Sequence, residues 1–553
     1  MANAEFQKKE FVILKKILTL LVIGVFLICI RSAGAASESV LPPIEEGGTQ
    51  LSTLGKVLVS QFRLDGNTVF SDEELAPLLA PYLNREITAE EMHELKNDVT
   101  RFYIANGYVN SGAIIPDQQV KDGVILMRIV EGTLGRTEIT GNTWLRTGYI
   151  DKRLKLAVGK KKEPLNINVL QEHLKLLKQD SHIENINASL NPGLEPGDAS
   201  LNVEIEEARP YHITFRFNNH NSPSIGPYRG EVEIRHDNLS GWGDSLSAEY
   251  ALTEGLDDYS FRYSVPVTRW DTTLTLSFDR AEAVVVSEPF DKLDIRSDTK
   301  TYAAAIRHPF YKTLSKEFAM GFKFEKRESE TSLLDSRFSF PGSGSHREKG
   351  ETEFTVSRFS QEWVNRGAAK VLAAYSSFNL GNVKEGDLDG GFFTWLGQFQ
   401  WLQRIKPLNS QILFSANLQL SADSLVSAEK FSIGGASTVR GYRENLMTTD
   451  NGLTSSLEWR VPVAQLRIPG LGKKQNDGML EICPFFDLGK GWNKELEDPD
   501  PDMIYSAGIG MRWLVSKRIH AEFYWGKYLR DIPDPGEYDI QDDGIYFQIV
   551  AGF

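Results

Sequence analysis

The chain has only two cysteines, Cys29 and Cys483. If the leader described below is removed, Cys483 stands alone and no intramolecular disulfide can form. No segment offers about 18 consecutive apolar residues, which excludes an ordinary membrane-spanning helix. Positive charge is in the minority: 61 Lys and Arg face 75 Asp and Glu, a net charge of −14. That balance argues against nucleic-acid binding. Catalytic signatures are also missing, with no G-x-S-x-G, no H-E-x-x-H and no P-loop. The nine histidines are scattered. No enzyme activity, metal site or cofactor is therefore expected.

What is present begins with an export pattern. Lys8, Lys9, Lys15 and Lys16 precede an apolar run over residues 17–30, and Ala33-Gly34-Ala35-Ala36 follows. A basic start, a run of about 14 apolar residues and small residues at the end make a signal peptide over residues 1–35. An uncleaved inner-membrane anchor is the competing reading. Cys29 lacks a lipoprotein context, because Ile28 precedes it and Ile30 and Arg31 follow. Residues 1–35 hold five basic and two acidic groups, a net +3, so the exported chain carries −14 − 3 = −17. Residues 36–55, with Pro42-Pro43 and Gly47-Gly48, read as a linker.

Two related units follow, at 56–134 and 135–209. The first has a β-α-α-β-β pattern. A strand through Val57, Val59, Phe62 and Leu64 ends at Gly66-Asn67-Thr68, and Ser71 caps a helix with Glu73 and Glu74 in its first turn. Thr88 and Glu91 fit a capping box for a helix over 88–106, which Gly107 ends. Gly141-Asn142-Thr143 lies 75 residues after Gly66-Asn67-Thr68, and residues 201–206 lie 75 after 126–131. A fixed offset at both ends indicates a tandem repeat. In the second unit, Leu170, Leu174 and Leu177 share one face of a helix over 167–179. The family resemblance given below implies a binding groove on the face between that helix and the next edge strand.

From residue 210 onward the periodicity changes to two. Ile412, Phe414, Ala416, Leu418 and Leu420 alternate with polar positions, as do Leu453, Leu457, Trp459 and Val461. After an export signal, about sixteen such segments, commonly of 9 to 12 residues, suit a closed transmembrane barrel, since only helices and closed barrels satisfy their backbone in lipid. A soluble sandwich gives the same alternation strand by strand. The last strand places Phe547, Ile549, Ala551 and Phe553 on one face. That pattern resembles the signal by which outer-membrane barrels are recognised for assembly.

The most specific residues are Val439-Arg440-Gly441-Tyr442, in a Gly- and Ser-rich connection over 422–451, and Phe485-Phe486-Asp487-Leu488-Gly489 about 45 residues later. The strand count puts the first between strands 11 and 12, in a connection with no strand of its own, and the second on strand 13. There Leu480, Ile482, Phe486 and Leu488 share one face, so Asp487 and Gly489 point into the lumen. The residues alone favour a solvated Arg440 and an Asp487 paired with some other lumenal cation.

VRGY followed by F-x-D-x-G, in a β-rich chain ending in Phe, resembles the haemolysin secretion/activation transporters of two-partner secretion, the TpsB family. The resemblance implies an all-β, sixteen-stranded antiparallel transmembrane barrel at 210–553 with two N-terminal α+β POTRA domains in the periplasm. It implies that Arg440 and Asp487 pair as a loop-to-barrel latch, with Val439, Gly441, Tyr442, Phe485 and Gly489 supporting it. It implies an outer-membrane location in a Gram-negative cell, contact with lipid and with the barrel-assembly machinery, and a large secreted exoprotein as unfolded substrate. An insertase for other outer-membrane barrels is the alternative. The short stretch before the first repeat, broken by Pro42-Pro43, makes a pore-plugging helix doubtful.

Overall fold

The computed structural model describes residue 51 and residues 55–159, 163–195, 197–340, 350–384, 390–471, 474, 476–532 and 537–553. The leader and most of the linker expected at 1–35 and 36–55 lie outside the described residues.

Capping builds the first unit's helices where the sequence places them. Its elements are β1 (Lys56–Val59), β2 (Gln61–Asp65), α1 (Asp72–Leu79), β3 (Arg85–Thr88), α2 (Ala89–Ala105), β4 (Gly112–Ile114) and β5 (Val124–Val130). Ser71 and Glu74 exchange hydrogen bonds at the start of α1, at 3.3 and 2.8 Å, and Thr88 and Glu91 do the same at α2. The single strand expected over 57–64 is two strands, divided at Ser60. β1 pairs with β3, whereas β2 runs parallel to β5 and β4 antiparallel to it. Alternation alone does not show that partner change.

The second unit is assembled in the same way from β6 (Thr133–Thr140), α3 (Thr147–Val158), α4 (Ile167–Lys178), β7 (Ile183–Pro192) and β8 (Asp198–Glu207). β6 runs parallel to β8 and β7 antiparallel to it, leaving β6 and β7 as edges. The Gly-Asn-Thr turns explain the repeat. Gly66 and Gly141 sit at φ +85° and +82°, where an added Cβ would lie 2.5 Å from the Ile129 carbonyl oxygen and 2.2 Å from that of Ile205. A carboxylate then ties each turn. Glu131 accepts from the Thr68 and Val69 N–H groups, and Glu207 accepts from those of Thr143, Trp144 and Leu145. The true counterpart of Glu131 is thus Glu207, 76 residues on and one more than the offset of the turns; the irregularities in the sheet's pairing fall at Gly135 of β6 and Glu184 of β7.

Burial pushes the Glu207 carboxyl up, but the Trp144 and Leu145 N–H groups, with Thr143, outweigh it and hold it below the ordinary glutamate range. A depressed folded pKa contributes stability that is present above the unfolded value of about 4.3 and is lost as pH falls through the folded value. Amide hydrogen exchange at Thr143–Leu145 should therefore lose protection as pH falls below about 4. Glu207→Gln should lose part of it at neutral pH, about 1 kcal/mol for a solvent-screened site. Unchanged protection in both cases contradicts this role.

The second unit touches the barrel rim directly. Arg146 N–H donates to the Gly241 carbonyl at 2.9 Å, Trp242 lies under the cations of Arg146 and Lys152, and Arg153 grips Asp271 at 2.6 Å.

The barrel closes with sixteen wall strands. They are β9 (Tyr211–Asn218), β10 (Arg229–Asp237), β11 (Ser245–Leu252), β12 (Leu256–Pro266), β13 (Thr273–Val284), β14 (Arg296–Lys312), β15 (Lys316–Leu333), β17 (Glu351–Arg366), β18 (Lys370–Lys384), β19 (Gly390–Ile405), β20 (Ser410–Ser421), β23 (Asn451–Gln465), β24 (Met479–Trp492), β25 (Met503–Leu514), β26 (Ile519–Tyr528) and β27 (Ile545–Gly552). A two-residue strand, β16 (Ser336–Arg337), extends the β15 hairpin. β27 pairs with β9 and closes the ring, so no wall edge is left open.

Strands β14, β15 and β17 to β19 run to 15–18 residues, longer than the expected 9 to 12. In β15 the extra length is polar, Lys326-Arg327-Glu328-Ser329-Glu330-Thr331, and stays paired with β14. Hydrophobic length alone does not reveal it.

Candidate functional site

The connection over 422–450 lies between the eleventh and twelfth wall strands, β20 and β23, and enters the lumen. It has a sheet of its own, contrary to expectation: β21 (Phe431–Ile433) pairs with β22 (Met447–Thr449). Three-residue strands are too short to show a period, which is why the sequence conceals them. The pair projects a tip, residues 434–446, onto the wall formed by β23 to β27.

Arg440 sits near the end of that tip with 6 % of its surface exposed, and Asp487 of β24 is fully buried. The guanidinium forks onto the carboxylate: Nε donates to Asp487 Oδ2 at 2.8 Å and Nη2 to Oδ1 at 2.9 Å. The backbone N–H of Arg440 donates to the same Oδ2 at 3.1 Å. Nη1 donates to Glu458 Oε2 at 2.5 Å and Nη2 to Ser456 Oγ at 3.0 Å, both on β23. The cation also lies 3.6 Å from the Phe485 ring centre and 4.7 Å from that of Tyr524. One cation thus meets two carboxylates, a hydroxyl and two ring faces, so its polar groups are satisfied without bulk water.

The partners follow from register. Ser456 opposes Asp487, and Glu458 opposes Phe485, across the β23–β24 pair. On β24 the residues Glu481, Cys483, Phe485, Asp487 and Gly489 are buried while Phe486 faces outward, the parity read from the sequence. Glu458 was visible only as one polar position among many on an alternating strand. Nothing linked it to Arg440 before the register was known.

The supporting motif residues act through close approach. A Cβ on Gly489 would lie 2.4 Å from Ile433 Cγ2 and 2.8 Å from Val439 Cγ2, so the bare backbone there seats two loop side chains. Val439 and Tyr442 are buried with Ile433, Met447 and Ile504. The Tyr442 hydroxyl lies 3.0 Å from the carbonyl oxygens of both Tyr505 and Arg530, and the Tyr546 hydroxyl donates to the Tyr442 carbonyl. Gly441, at φ +96°, passes against the backbone of Gly526 on β26. A second ion pair escaped sequence reasoning: Arg443 forks onto Asp542, at 2.5 and 2.6 Å, in the connection before β27.

The expected groove residues are placed differently. Leu170 and Leu177 are buried in the second unit's own core, and Leu174 packs against that core. An amphipathic helix of a small α+β unit needs its apolar stripe to hold the sheet, so these leucines are not a ligand surface. The polar edge of β7, with Glu184, Asn187 and Ser189 exposed, is what that side of the unit presents. Phe547, Ile549, Ala551 and Phe553 form one row on the outside of the closing strand. Phe547 is 5.6 Å from Phe217 and Phe553 is 6.2 Å from Phe215, ring centre to ring centre.

Residues 197–513 match the family model for haemolysin secretion/activation protein ShlB/FhaC/HecB, and residues 57–132 match that for the ShlB-type POTRA domain. The chain is similar to the outer membrane transporter CdiB of Dickeya dadantii (strain 3937), 22 % identical over 474 residues, covering 82 % of this chain and 80 % of the relative. It is similar also to the heme/hemopexin transporter protein HuxB of Haemophilus influenzae, 21 % identical over 445 residues, covering 76 % and 73 %. Among solved structures, CdiB from Escherichia coli shares the fold with a TM-score of 0.66 at 18 % identity, over 93 % of each chain.

Proposed function

The chain belongs to the ShlB/FhaC/HecB family of haemolysin secretion/activation proteins, and from that premise we propose that it exports one large exoprotein, unfolded, through its own pore. The family's members are outer-membrane β-barrel transporters of two-partner secretion with periplasmic POTRA domains, and this chain has that architecture. In this reading residues 135–209 are a second POTRA domain beside the first. The free edge of β7 takes an extended segment of the substrate by strand addition, where backbone bonds supply affinity with modest side-chain selectivity. Arg440 on Asp487 and Glu458 is a latch that holds the loop tip in the pore until substrate arrives. The row from Phe547 to Phe553 serves the chain's own assembly into the membrane. The protein is a conduit, and its work is positioning rather than bond chemistry.

The observation that carries this reading is the loop itself, an inward hairpin held by a buried ion pair inside a closed barrel that also carries POTRA-type modules. Deleting the chain should leave its large partner in the periplasm, degraded or retained, and absent from the cell surface. The levels of other outer-membrane barrels should be unchanged. Surface display that persists overturns the export reading, and a general fall in outer-membrane barrels would support an insertase instead.

A further inference from the structure

Three neighbouring periplasmic turns, residues 313–315, 367–369 and 406–409, join β14 to β15, β17 to β18 and β19 to β20. Backbone bonds pin them together: Arg366 N–H donates to the Ser315 carbonyl at 2.6 Å, and Arg404 N–H to that of Ala369 at 2.7 Å. Lys316, Arg366, Lys370, Arg404 and Lys406 stand exposed on this rim, and the three turns contain no carboxylate. At the outer ends of the same hairpins the cations are paired, Lys326 with Glu328 and Glu353, Arg337 with Glu330 and Glu351, and Lys384 with Glu353. Among the described residues, none of the five rim cations has such a partner; the nearby Glu317 and Glu362 are both taken by Arg307.

The wall beside this rim is hollowed on its outward face. An apolar depression of about 480 Å³ has Ala374 of β18, Gly397 of β19 and Ala416 of β20 in its floor, flanked by Phe318 of β15, Trp363 of β17 and Leu418 of β20. Phe378, Phe399 and Leu420, exposed at the same parity on β18, β19 and β20, show that this is the lipid-facing side. The hollow exists because side chains are missing. A Cβ on Gly397 would lie 2.7 Å from the Trp395 ring, which lies along the wall and donates from Nε1 to Ser376 Oγ at 3.0 Å.

Register makes the hollow oblique. Phe318, Trp363, Ala374, Phe399 and Ala416 are successive cross-strand partners. Phe318 stands two residues from the periplasmic end of its strand, Ala374 four and Ala416 six. The row therefore climbs from about 7 Å to about 20 Å from the turns, measured along tilted strands. That is the reach of one leaflet of a hydrocarbon core about 30 Å thick. Lys316 and Lys370 share the outward parity and stand at the foot of this row, in line with Phe318 and Ala374.

We propose that this face holds one anionic phospholipid of the periplasmic leaflet, with its phosphate on Lys316 and Lys370 and an acyl chain along the row from Phe318 to Ala416. Charge complementarity selects the headgroup. A zwitterionic lipid brings its own ammonium into a field of five cations, whereas phosphatidylglycerol brings only a phosphate. The chain gains close contacts where the wall's own side chains are absent. The site lies across the ring from the closing pair β27–β9.

Native mass spectrometry tests this on the full chain, purified in detergent and mixed with equal amounts of dioleoyl phosphatidylglycerol and dioleoyl phosphatidylethanolamine. The wild type should retain one phosphatidylglycerol with at least a fivefold preference, about the effect of a single interfacial cation. Lys316→Gln with Lys370→Gln should abolish the preference, and Lys316→Arg with Lys370→Arg should keep it. Ala374→Leu with Ala416→Leu, which fills the hollow and leaves every cation in place, should lower phosphatidylglycerol retention at least fivefold. Heat-modifiable migration confirms a folded barrel in each case. Equal retention of the two lipids by the wild type overturns the proposal, as does a preference that survives the glutamine pair. Retention unchanged by the leucine pair overturns the acyl-chain path. If the leucine pair instead splits a wild-type dimer, the face is an interface between copies and the lipid reading is overturned.

Discussion

Arg440→Ala is expected to cut export of the partner protein at least tenfold while the barrel still inserts and migrates as a folded species. Among the described residues, the substitution removes the only cation ion-paired with the Asp487 carboxylate and one of the two that meet Glu458. Arg460 remains on Glu458 at 2.6 Å, so the uncompensated charge falls mainly on Asp487. Breaking a buried pair from one side costs about 3–5 kcal/mol. That cost falls on the docked tip and spares the wall, whose hydrogen-bonded register does not involve Arg440. Arg440→Lys should recover little, because an ammonium cannot make the parallel bonds to Asp487 while also reaching Glu458 and Ser456. Normal export by Arg440→Ala removes the latch from the account.

Gly526→Ala should produce nearly the same defect with every charged group intact. A Cβ at Gly526 would lie 2.8 Å from Gly441 N and 2.9 Å from the Arg440 carbonyl carbon, both backbone atoms that cannot turn aside. Gly544 makes the crossing tighter, since its own added Cβ would lie 1.8 Å from the Gly526 carbonyl oxygen. Forcing a methyl group into such a contact costs about 1–3 kcal/mol, enough to lift the tip and lengthen the Arg440 bonds. Gly552→Ala is the matched control, because its nearest neighbour would be at 3.5 Å, an ordinary contact. Export assayed side by side should fall for Gly526→Ala and hold for Gly552→Ala. Equal export by both removes the steric account of the docked tip.

Period and parity made much of this architecture legible. The sixteen wall strands, the inward face of Asp487 and the loop between strands 11 and 12 all follow from alternation, which survives whatever the strand's partners are. The tandem units were visible because each turn needs a glycine at positive φ, whereas the carboxylate that ties the second turn, Glu207, stands one residue off the offset of the turns. Features that depend on register stayed hidden. Glu458 joins the site because it stands opposite Phe485, and Arg443 joins it because the connection before β27 folds back over the tip. The leucines of α4 misled for a related reason: a stripe at helical spacing reports a buried face, and in so small a unit that face is the core. The three-residue strands of the loop lie below the length at which any period can be read.

Planar-bilayer conductance of the purified wild type and of Arg440→Ala, without substrate, tests the central claim most directly. A tip held in the lumen by Arg440 predicts a mostly closed wild-type channel and a larger, more frequently open conductance for the variant. Matching conductance and open probability in the two proteins would contradict the claim that this ion pair holds the loop in the pore.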